Sequence, residues 1–299
     1  MKKVIVLLST YNGDKYLSEF LDSVMNQTYS NFELFIRDDG STDNTIKILK
    51  QYEKKYNKIH LILDGNNLGY PACFYYLTDC VSKKADYYFF ADQDDVWQSN
   101  KIERALSKMK QYSSDEILAY YADYYICDEK LNVVGTFRRK YDSVIFQKTI
   151  YEVCGLEFTM AINRCALLFL NQNKPIKSKA RGVWMSMLFS SFGKIIYDHY
   201  PCAFYRRHDS SVTSDRMSGV GLWIWRVKHF FYSNEFSSYK IILNDFFDVV
   251  GERLNCQDKS ILCIFIGNNR FRKAFFVGRL RSSILDEFAL RFVFLLGKL

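Results

Sequence analysis

Strand and helix signals alternate at short intervals through the first 112 residues, and this alternation restricts the fold more than any other feature. Short runs of apolar and aromatic residues predict strands at residues 4–9, 32–37, 59–63 and 87–91. Between these runs, apolar residues recur at helical spacing, as at positions 17, 20, 21 and 24. Strands that alternate with helices pair in parallel through right-handed crossovers. The pattern therefore predicts a doubly wound α/β domain.

The pattern becomes mixed after residue 112 and helical after residue 215. We expect strands at 117–127, 151–162, 195–197 and 203–205, and a helix at 183–192. Further helical signals cover 222–232, 239–254, 261–266 and a tail at 270–299. The chain has three prolines and no linker-like stretch. We therefore predict a domain at 1–215, with halves at 1–112 and 113–215, followed by a helical region at 216–299.

Composition excludes several classes of protein. A chain of 299 residues that is 48% hydrophobic and 17% aromatic is not intrinsically disordered. No run of 18 apolar residues occurs, which predicts no membrane-spanning helix. The eight cysteines lack Cys-x-x-Cys spacing, and this favours scattered buried thiols in a cytosolic protein over disulfides or zinc.

The net charge of +8 is unevenly distributed. Residues 216–299 contain 13 Lys and Arg against 7 Asp and Glu, so they carry +6 of the total. The tail interleaves these basic residues with Phe, Leu and Ile, and such a helix can lie on an anionic membrane surface. A basic helix that packs on the main domain is an equal alternative. No nucleic-acid-binding motif accompanies the basic residues.

The acidic sequence Asp92-Gln93-Asp94-Asp95 directly follows the strand predicted at 87–91. Three carboxylates in four positions repel each other, and Mg²⁺ or Mn²⁺ would join them through oxygen ligands. The carboxyl end of a parallel sheet is also where α/β folds bind ligands. The alternative is a solvated acidic loop or the first turn of a helix.

Two further loops follow predicted strands and carry polar groups: Ser9-Thr10-Tyr11-Asn12-Gly13 and Asp38-Asp39-Gly40-Ser41. A buried carboxylate in the second loop could accept a hydrogen bond from a pyrimidine imide or a ribose hydroxyl. The glycine-rich signatures of dinucleotide and P-loop sites are absent from the sequence. A metal held by Asp94 is then the natural way to neutralise a diphosphate.

Five motifs occur in order over roughly 110 residues: Ser9-Thr10-Tyr11-Asn12, Asn26-Gln27-Thr28-Tyr29, Arg37-Asp38-Asp39-Gly40-Ser41-Thr42-Asp43, Asn67-Leu68-Gly69 and Phe90-Ala91-Asp92-Gln93-Asp94-Asp95-Val96-Trp97. Together they resemble family 2 glycosyltransferases of the GT-A fold. The form Asp-Gln-Asp-Asp-Val-Trp is similar to the branch that includes bacterial rhamnosyltransferases of O-antigen and capsule assembly. The resemblance implies a doubly wound, mostly parallel mixed sheet with a helical C-terminal extension.

The resemblance also implies residue roles in an inverting transfer from a nucleoside-diphosphate sugar. Thr10, Tyr11 and Asn12 would bind the donor with Asp39, which contacts the pyrimidine. Asp92 would lie near the ribose, and Asp94 would hold Mn²⁺ or Mg²⁺ on the diphosphate.

Four further residues are assigned from the resemblance, and two of these assignments have alternatives. Arg206 and His208, in a Tyr-Arg-x-His context, would complete the phosphate or metal environment, although His208 could be an ordinary loop histidine. Asp38 could contact the donor or cap its own turn. Trp97 is expected to pack behind the acidic loop.

One stretch departs from the family pattern. An inverting displacement needs a general base, which this branch supplies from an Asp within His-Asp-Trp-Trp. The corresponding residues here are Arg181-Gly182-Val183-Trp184, without a carboxylate. Glu157 is the nearest candidate base, and a structural glutamate is the alternative.

The resemblance implies an enzyme that transfers L-rhamnose from dTDP-rhamnose to a polyprenyl-diphosphate-linked saccharide in cell-surface polysaccharide biosynthesis. The expected location is cytoplasmic, peripheral on the inner face of the cell membrane. A nucleotidyltransferase is a first alternative, but no basic glycine-rich loop follows the first strand. A non-catalytic partner that binds nucleotide sugar is the second, because the expected base is missing.

Overall fold

The computed structural model describes residues 1–81, 84–139, 144–207 and 235–299, with side chains from residue 238 in the last range. Its main sheet has seven strands in the order β10-β6-β9-β4-β1-β2-β3. The bounds are β1 Val4–Thr10, β2 Phe32–Asp38, β3 Ile59–Ile62, β4 Tyr87–Ala91, β6 Leu118–Ala122, β9 Ala161–Asn163 and β10 Lys194–Asp198. All pairs are parallel except those that β9 makes with β4 and β6. The predicted mostly parallel mixed sheet is confirmed.

A second sheet of four strands has the order β5-β11-β7-β8. Its strands are β5 Val96–Trp97, β7 Tyr124–Cys127, β8 Val133–Phe137 and β11 Ala203–Arg206. The single strand predicted at 117–127 is therefore two strands, β6 and β7, that belong to different sheets. The chain changes sheet at Asp123, a fully buried residue whose carboxylate accepts a hydrogen bond from the Tyr197 hydroxyl at 2.7 Å.

Helices cover both faces of the main sheet. Their bounds are α1 Leu17–Met25, α2 Thr45–Lys55, α3 Ala72–Val81, α4 Lys101–Met109, α5 Phe146–Thr149, α6 Arg164–Gln172, α7 Arg181–Phe192, α8 Glu235–Val250, α9 Cys256–Ile266, α10 Arg270–Ala274 and α11 Ile284–Leu295. Because side chains alternate along a strand, β1 sends Ile5 and Leu7 into one core and Val4, Val6 and Leu8 into the other. This two-sided burial explains why the strand reads as a continuous apolar run.

A second strand prediction is also wrong. Within the strand predicted at 151–162, only the first residues of β9 belong to a strand, and the rest forms turns and a 3₁₀ turn at Glu157–Thr159. The apolar residues of this segment are buried although they lie in turns, and a run of apolar residues alone does not distinguish a strand from a buried loop. The helix α2 begins at Thr45, whose N–H donates to Asp43 at 2.9 Å.

The C-terminal helices pack on the main domain. The ring of Phe246 in α8 lies 5.2 Å from Trp184 of α7 and 6.1 Å from Phe146 of α5. Buried residues of α8, α9 and α11 join the core cluster that includes α7. In the described ranges, no helix is both long enough and apolar enough to cross a bilayer. The segment predicted at 222–232 and the boundary at 215 lie outside the described residues.

Candidate functional site

Three parallel strands end at one edge of the main sheet. Thr10 at the end of β1 pairs with Asp38 of β2, and Leu8 pairs with Ala91 at the end of β4. The loops that follow these strands therefore meet at the edge, as the sequence predicted. This edge carries the candidate site.

The loop after β1 is fastened to the acidic loop after β4 by Gln93. Its side-chain amide accepts from the Tyr11 N–H at 3.0 Å and donates to the Tyr11 carbonyl at 3.0 Å. Gly13 makes room for this amide, because a Cβ at position 13 would lie 2.3 Å from the Gln93 oxygen. The Tyr11 side chain stays half exposed. Sequence reasoning missed Gln93; its only signal was its place between two aspartates.

Asn12 and Asp38 organise the neighbouring turns. Asn12 adopts a positive φ of 45° and accepts a hydrogen bond from the Thr42 N–H at 2.9 Å. Asp38 accepts from the Ser41 N–H at 2.8 Å, and its other oxygen accepts from the Thr10 hydroxyl at 2.9 Å. The structure thus shows Asp38 capping its own turn, the alternative that the sequence had left open.

Asp39 is held by an ionic and backbone network. It pairs with the buried Arg37 and accepts from the N–H groups of Leu68 and Gly69, each at 2.8 Å. Burial opposes ionisation of Asp39, but these hydrogen bonds and the Arg37 charge hold its pKa below the ordinary value. Arg37 also binds Asp64, which joins the loop after β3 to the same network.

The acidic loop concentrates negative charge. Asp92 keeps part of its surface open to solvent. Removal of its carboxylate from water by the surrounding protein nevertheless raises its pKa to about 7; the charge of Arg181 opposes this shift, and the charge of Asp94 adds to it. Burial also raises the pKa of Asp95 well above the ordinary value, and the charges of Asp94 and Asp92 add to the effect. Oδ2 of Asp95 is buried without a hydrogen-bond partner among the described residues. The carboxylates of this loop therefore repel one another, and a bound cation would reduce that repulsion.

Arg206 lies buried beneath the acidic loop. Its Nε donates to the Asp94 carbonyl at 3.0 Å, and its backbone N–H donates to Asp95 at 3.2 Å. Of the other two guanidinium nitrogens, Nη1 donates to the backbone carbonyl of Glu129 and Nη2 donates to the carboxylate of Glu19. The structure therefore places Arg206 as a support of the loop, and sequence reasoning had no signal for its buried partners.

Lys101 and Trp97 are buried next to each other behind the acidic loop. Nζ of Lys101 is buried, lies 3.6 Å from the Trp97 ring and donates to the Phe158 carbonyl at 2.5 Å. Burial lowers the pKa of Lys101 to about 8, against the opposing charges of Asp95 and Asp92. Trp97 packs on Phe20, with ring centroids 6.0 Å apart. It lies behind the loop, as predicted.

The structure brings Glu157 to the same edge. Because β9 runs antiparallel to β4, the start of β9 lies beside the end of β4, and the Phe90 N–H donates to the Met160 carbonyl at 3.2 Å. Glu157 stands three residues before Met160 and is close enough for its charge to raise the pKa of Asp92. Glu157 lies on a 3₁₀ turn at this edge, although the sequence had placed this residue on a strand.

Arg181, the first residue of α7, points toward Glu157. Its Nε lies 3.5 Å from Oε1 of Glu157, and its guanidinium carbon lies 3.7 Å from the centroid of the Phe74 ring. Nε and Nη1 have no hydrogen-bond partner among the described residues. Burial opposes the charge of Arg181, but Glu157 raises its pKa above the ordinary value. The site thus contains a buried cation beside its carboxylates.

The donor set fits a divalent cation that a substrate helps to bind. Across the described ranges, no group of three His, Cys, Asp or Glu forms a complete protein site. Magnesium, however, is usually bound by one or two carboxylates together with substrate phosphates and water. The crowded carboxylates of Asp92, Asp94 and Asp95 offer such oxygens. His208 lies outside the described residues.

A model of glycosyl transferase family 2 matches residues 5–171, which is more than half of the chain. The chain belongs to this family. The resemblance read from the five motifs is thereby confirmed, and so is glycosyl transfer as the class of activity.

Two relatives with specific names match over most of their length. The dTDP-rhamnosyl transferase RfbG of Shigella flexneri is 27% identical over 226 residues, covering 71% of this chain and 75% of RfbG. The UDP-Glc:alpha-D-GlcNAc-diphosphoundecaprenol beta-1,3-glucosyltransferase WfgD of Escherichia coli is 26% identical over 242 residues, covering 81% and 91%. The first of these relatives is named for a dTDP-rhamnosyl transfer, and the second for a glucosyl transfer to a GlcNAc that is linked to diphosphoundecaprenol.

A solved structure shares the fold. The mannosyltransferase PcManGT of Pyrobaculum calidifontis, solved with GDP-Man and Mn²⁺, has a TM-score of 0.54 at 15% identity, covering 89% of this chain and 69% of that one. The predicted GT-A fold is thereby confirmed.

Proposed function

We propose that this family 2 enzyme is an inverting glycosyltransferase that moves L-rhamnose from dTDP-rhamnose to a polyprenyl-diphosphate-linked saccharide. The observation that carries the proposal is the meeting of three strand ends with a crowded acidic loop, where a sugar diphosphate and its cation fit together. The name of RfbG supports the dTDP-rhamnose donor, and the name of WfgD supports a lipid-linked acceptor.

The donor nucleoside would lie over the loops after β1 and β2. Tyr11 is half exposed there, and Thr10 and Asn12 flank it. Among the described residues, the Gly69 N–H is the only group that donates to Oδ2 of Asp39, and a carboxylate oxygen has capacity for a second hydrogen bond. Asp39 could therefore accept the imide N–H of thymine, with Asp92 nearer the ribose.

Asp94, with Asp92, would hold Mn²⁺ or Mg²⁺ against the donor diphosphate, and His208 would complete this environment. The cation supplies charge neutralisation for the departing nucleoside diphosphate. Gln93 and Arg206 keep the acidic loop in place while the donor binds and leaves, since both are tied to neighbouring loops.

Calorimetry with dTDP-rhamnose, UDP-glucose, UDP-GlcNAc and GDP-mannose in Mn²⁺ tests this assignment. We expect one donor, dTDP-rhamnose, to bind most tightly and to lose affinity when a chelator is added. Asp94→Asn should lower turnover about 100-fold or more, because cation stabilisation of the leaving group contributes several kcal/mol. The exposed Asp115→Asn is the matched control. Normal turnover by Asp94→Asn without metal would contradict the proposal.

The C-terminal helices support a peripheral position on the cytoplasmic face of the membrane. On α11, one face packs on the core, while Leu285, Phe288 and Phe292 are 70%, 68% and 51% exposed on the other. Phe271 and Phe275 of the α10 segment extend this apolar surface. Exposed apolar patches of this kind mark interaction sites.

Basic residues border this apolar surface. Arg270 and Arg272 are exposed, and they complement an anionic lipid headgroup. Arg291 instead binds the Ala274 carbonyl at 2.8 Å, and Lys273 is buried, so these two basic residues support the fold. Docking of the apolar surface would bring the enzyme to a lipid-linked acceptor.

Sedimentation with vesicles of phosphatidylglycerol and phosphatidylcholine tests the membrane position. The triple change Leu285→Ser, Phe288→Ser and Phe292→Ser should reduce the pelleted fraction several-fold. Val134→Ser, at a side chain that is 65% exposed on β8, is the control. Unchanged pelleting of the folded triple variant would contradict the membrane role of this face.

A further inference from the structure

The Glu157 carboxylate lies directly against Gly182 at the edge of the candidate site. A Cβ built on Gly182 would lie 2.7 Å from Oε1 and 3.2 Å from Cδ of Glu157. Contacts of the first kind are essentially never made by real side chains. The Glu157 carboxylate therefore fills the space that a side chain at position 182 would enter. We call this volume the carboxylate slot.

Two chain positions can supply a carboxylate to the slot. One is position 157, on the 3₁₀ turn before β9, and the other is position 182, in the first turn of α7. Position 182 is glycine in this chain, and the Glu157 carboxylate reaches the slot from the other element.

The surroundings of Glu157 hold one of its oxygens and leave the other available. Oε1 accepts a hydrogen bond from the Tyr70 hydroxyl at 3.2 Å and lies 3.5 Å from Nε of Arg181. Among the described residues, no hydrogen bond reaches Oε2. The side chain is 15% exposed, so the slot is open to a substrate hydroxyl.

Arg181 is suited to position this carboxylate. Its guanidinium is stacked on Phe74 and fixed at the start of α7. Buried charges are normally satisfied by several partners, but this one has an ion pair with Glu157 and two nitrogens without hydrogen bonds in the described structure. Glu157 is the carboxylate with which Arg181 forms an ion pair in the described structure, so the charge of Arg181 acts mainly on Glu157.

We infer that Glu157 is the general base of the transfer, acting from the carboxylate slot that Gly182 leaves open, and that Arg181 is its positioning residue. The acceptor hydroxyl gives its proton to Oε2 of Glu157. The hydroxyl oxygen forms a bond to the anomeric carbon, whose bond to the diphosphate breaks. The bonding electrons leave with the nucleoside diphosphate, and Glu157 later returns the proton to water. This inference rests on the proposed glycosyl transfer.

Exchanging the two residues tests the inference. Each variant receives the donor that binds wild type best, with water as the acceptor, and release of nucleoside diphosphate is measured across pH. Glu157→Gln and Glu157→Gly should each lower turnover about 100-fold or more, as expected when a general base is lost. Gly182→Asp alone should also lower turnover, since two carboxylates then crowd one slot. The double variant Glu157→Gly/Gly182→Asp should regain at least about tenfold over Glu157→Gly, together with the acidic limb of the pH profile.

Donor affinity separates this inference from the proposed function. All variants, and the exposed control Glu53→Gln, should bind the donor within about threefold of wild type. If wild type neither binds nor turns over any nucleotide sugar of the panel, the proposed function and the base both fail. If wild type is active but Glu157→Gln stays within about threefold of it, or the exchange restores nothing, only the base assignment is overturned.

Arg181 is tested by a pair of variants. Arg181→Met keeps the packing on Phe74 but removes the charge, and it should lower turnover about tenfold with donor affinity unchanged. Arg181→Lys should recover most of that loss, because a cation again faces Glu157. Equal turnover in the Met and Lys variants would show that the charge does not position the base.

Discussion

Arg37 and Arg181 are both buried, one at the end of β2 and the other at the start of α7. All three side-chain nitrogens of Arg37 have partners, in Asp39, Asp64 and the Asn66 carbonyl. Arg181 contacts three aromatic rings and makes one ion pair, and two of its nitrogens lack hydrogen bonds among the described residues. The protein therefore satisfies the hydrogen-bonding groups of Arg37, whereas it leaves those of Arg181 partly unsatisfied within the described structure.

Removing Arg37 should have the largest effect on stability. Arg37→Met leaves the buried Asp39 without its cation, and we expect the free energy of unfolding to fall by about 3–5 kcal/mol. Urea denaturation measures this loss. Lys177→Met, which breaks an exposed pair with Asp248, should cost under about 1 kcal/mol. Equal effects of the two variants would remove the distinction drawn for Arg37.

Gly13→Ala should have the next largest effect, and we expect it to change donor affinity. Its Cβ would displace the Gln93 amide and break both hydrogen bonds to Tyr11. We expect donor affinity to weaken about tenfold, or about 1.4 kcal/mol, by calorimetry. Gly135→Ala, where the nearest atom lies 3.9 Å away, is the control. Unchanged donor affinity would mean that the hydrogen bonds of Gln93 do not order the loop after β1 for donor binding.

Gly182→Ala should raise stability and lower turnover together. Alanine favours the helical conformation over glycine by up to about 1 kcal/mol, and its Cβ would push Glu157 out of the slot. Thermal unfolding and donor turnover measure the two effects. A variant that becomes more stable without losing turnover would place the reacting groups away from this slot.

Arg181→Met should have the smallest effect on stability, under about 1 kcal/mol. The variant loses an ion pair but also removes two buried N–H groups that lack partners in the described structure. Urea denaturation beside Arg37→Met gives the direct comparison. A loss of 3 kcal/mol or more would show that the two arginines have the same structural role.

The first 112 residues were the easier part to predict. Its strands and helices follow one another along the chain, and each polar motif directly follows the strand that positions it. Thr10, Asp39 and Asp94 could therefore be assigned to one sheet edge, because parallel strands place their carboxyl ends together. The buried partners of Asp39 and the tether through Gln93 required the structure.

The structure of the chain after residue 112 depends on contacts between residues that are distant in the sequence. The chain leaves one sheet at Asp123 and enters the other, so a single apolar run forms strands in both sheets. The antiparallel strand β9 has three residues, whereas the local sequence pattern predicted a much longer strand. Glu157 and Gly182 are 25 positions apart in the sequence, and nothing local indicates that they share one volume. The division of α11 into a packed and an exposed apolar face likewise required the positions of its neighbours.

The amino-acid sequence was sufficient to predict the doubly wound architecture, the family and the edge of the sheet that carries the candidate site. Strand periodicity and the residues that end each strand are local properties, which can be read from the linear order of the chain. The satisfied charges, and the position of Glu157 beside Gly182 and Arg181, became known only from the folded structure. Pairing and packing depend on distances across the fold, and the sequence records only the separation of residues along the chain.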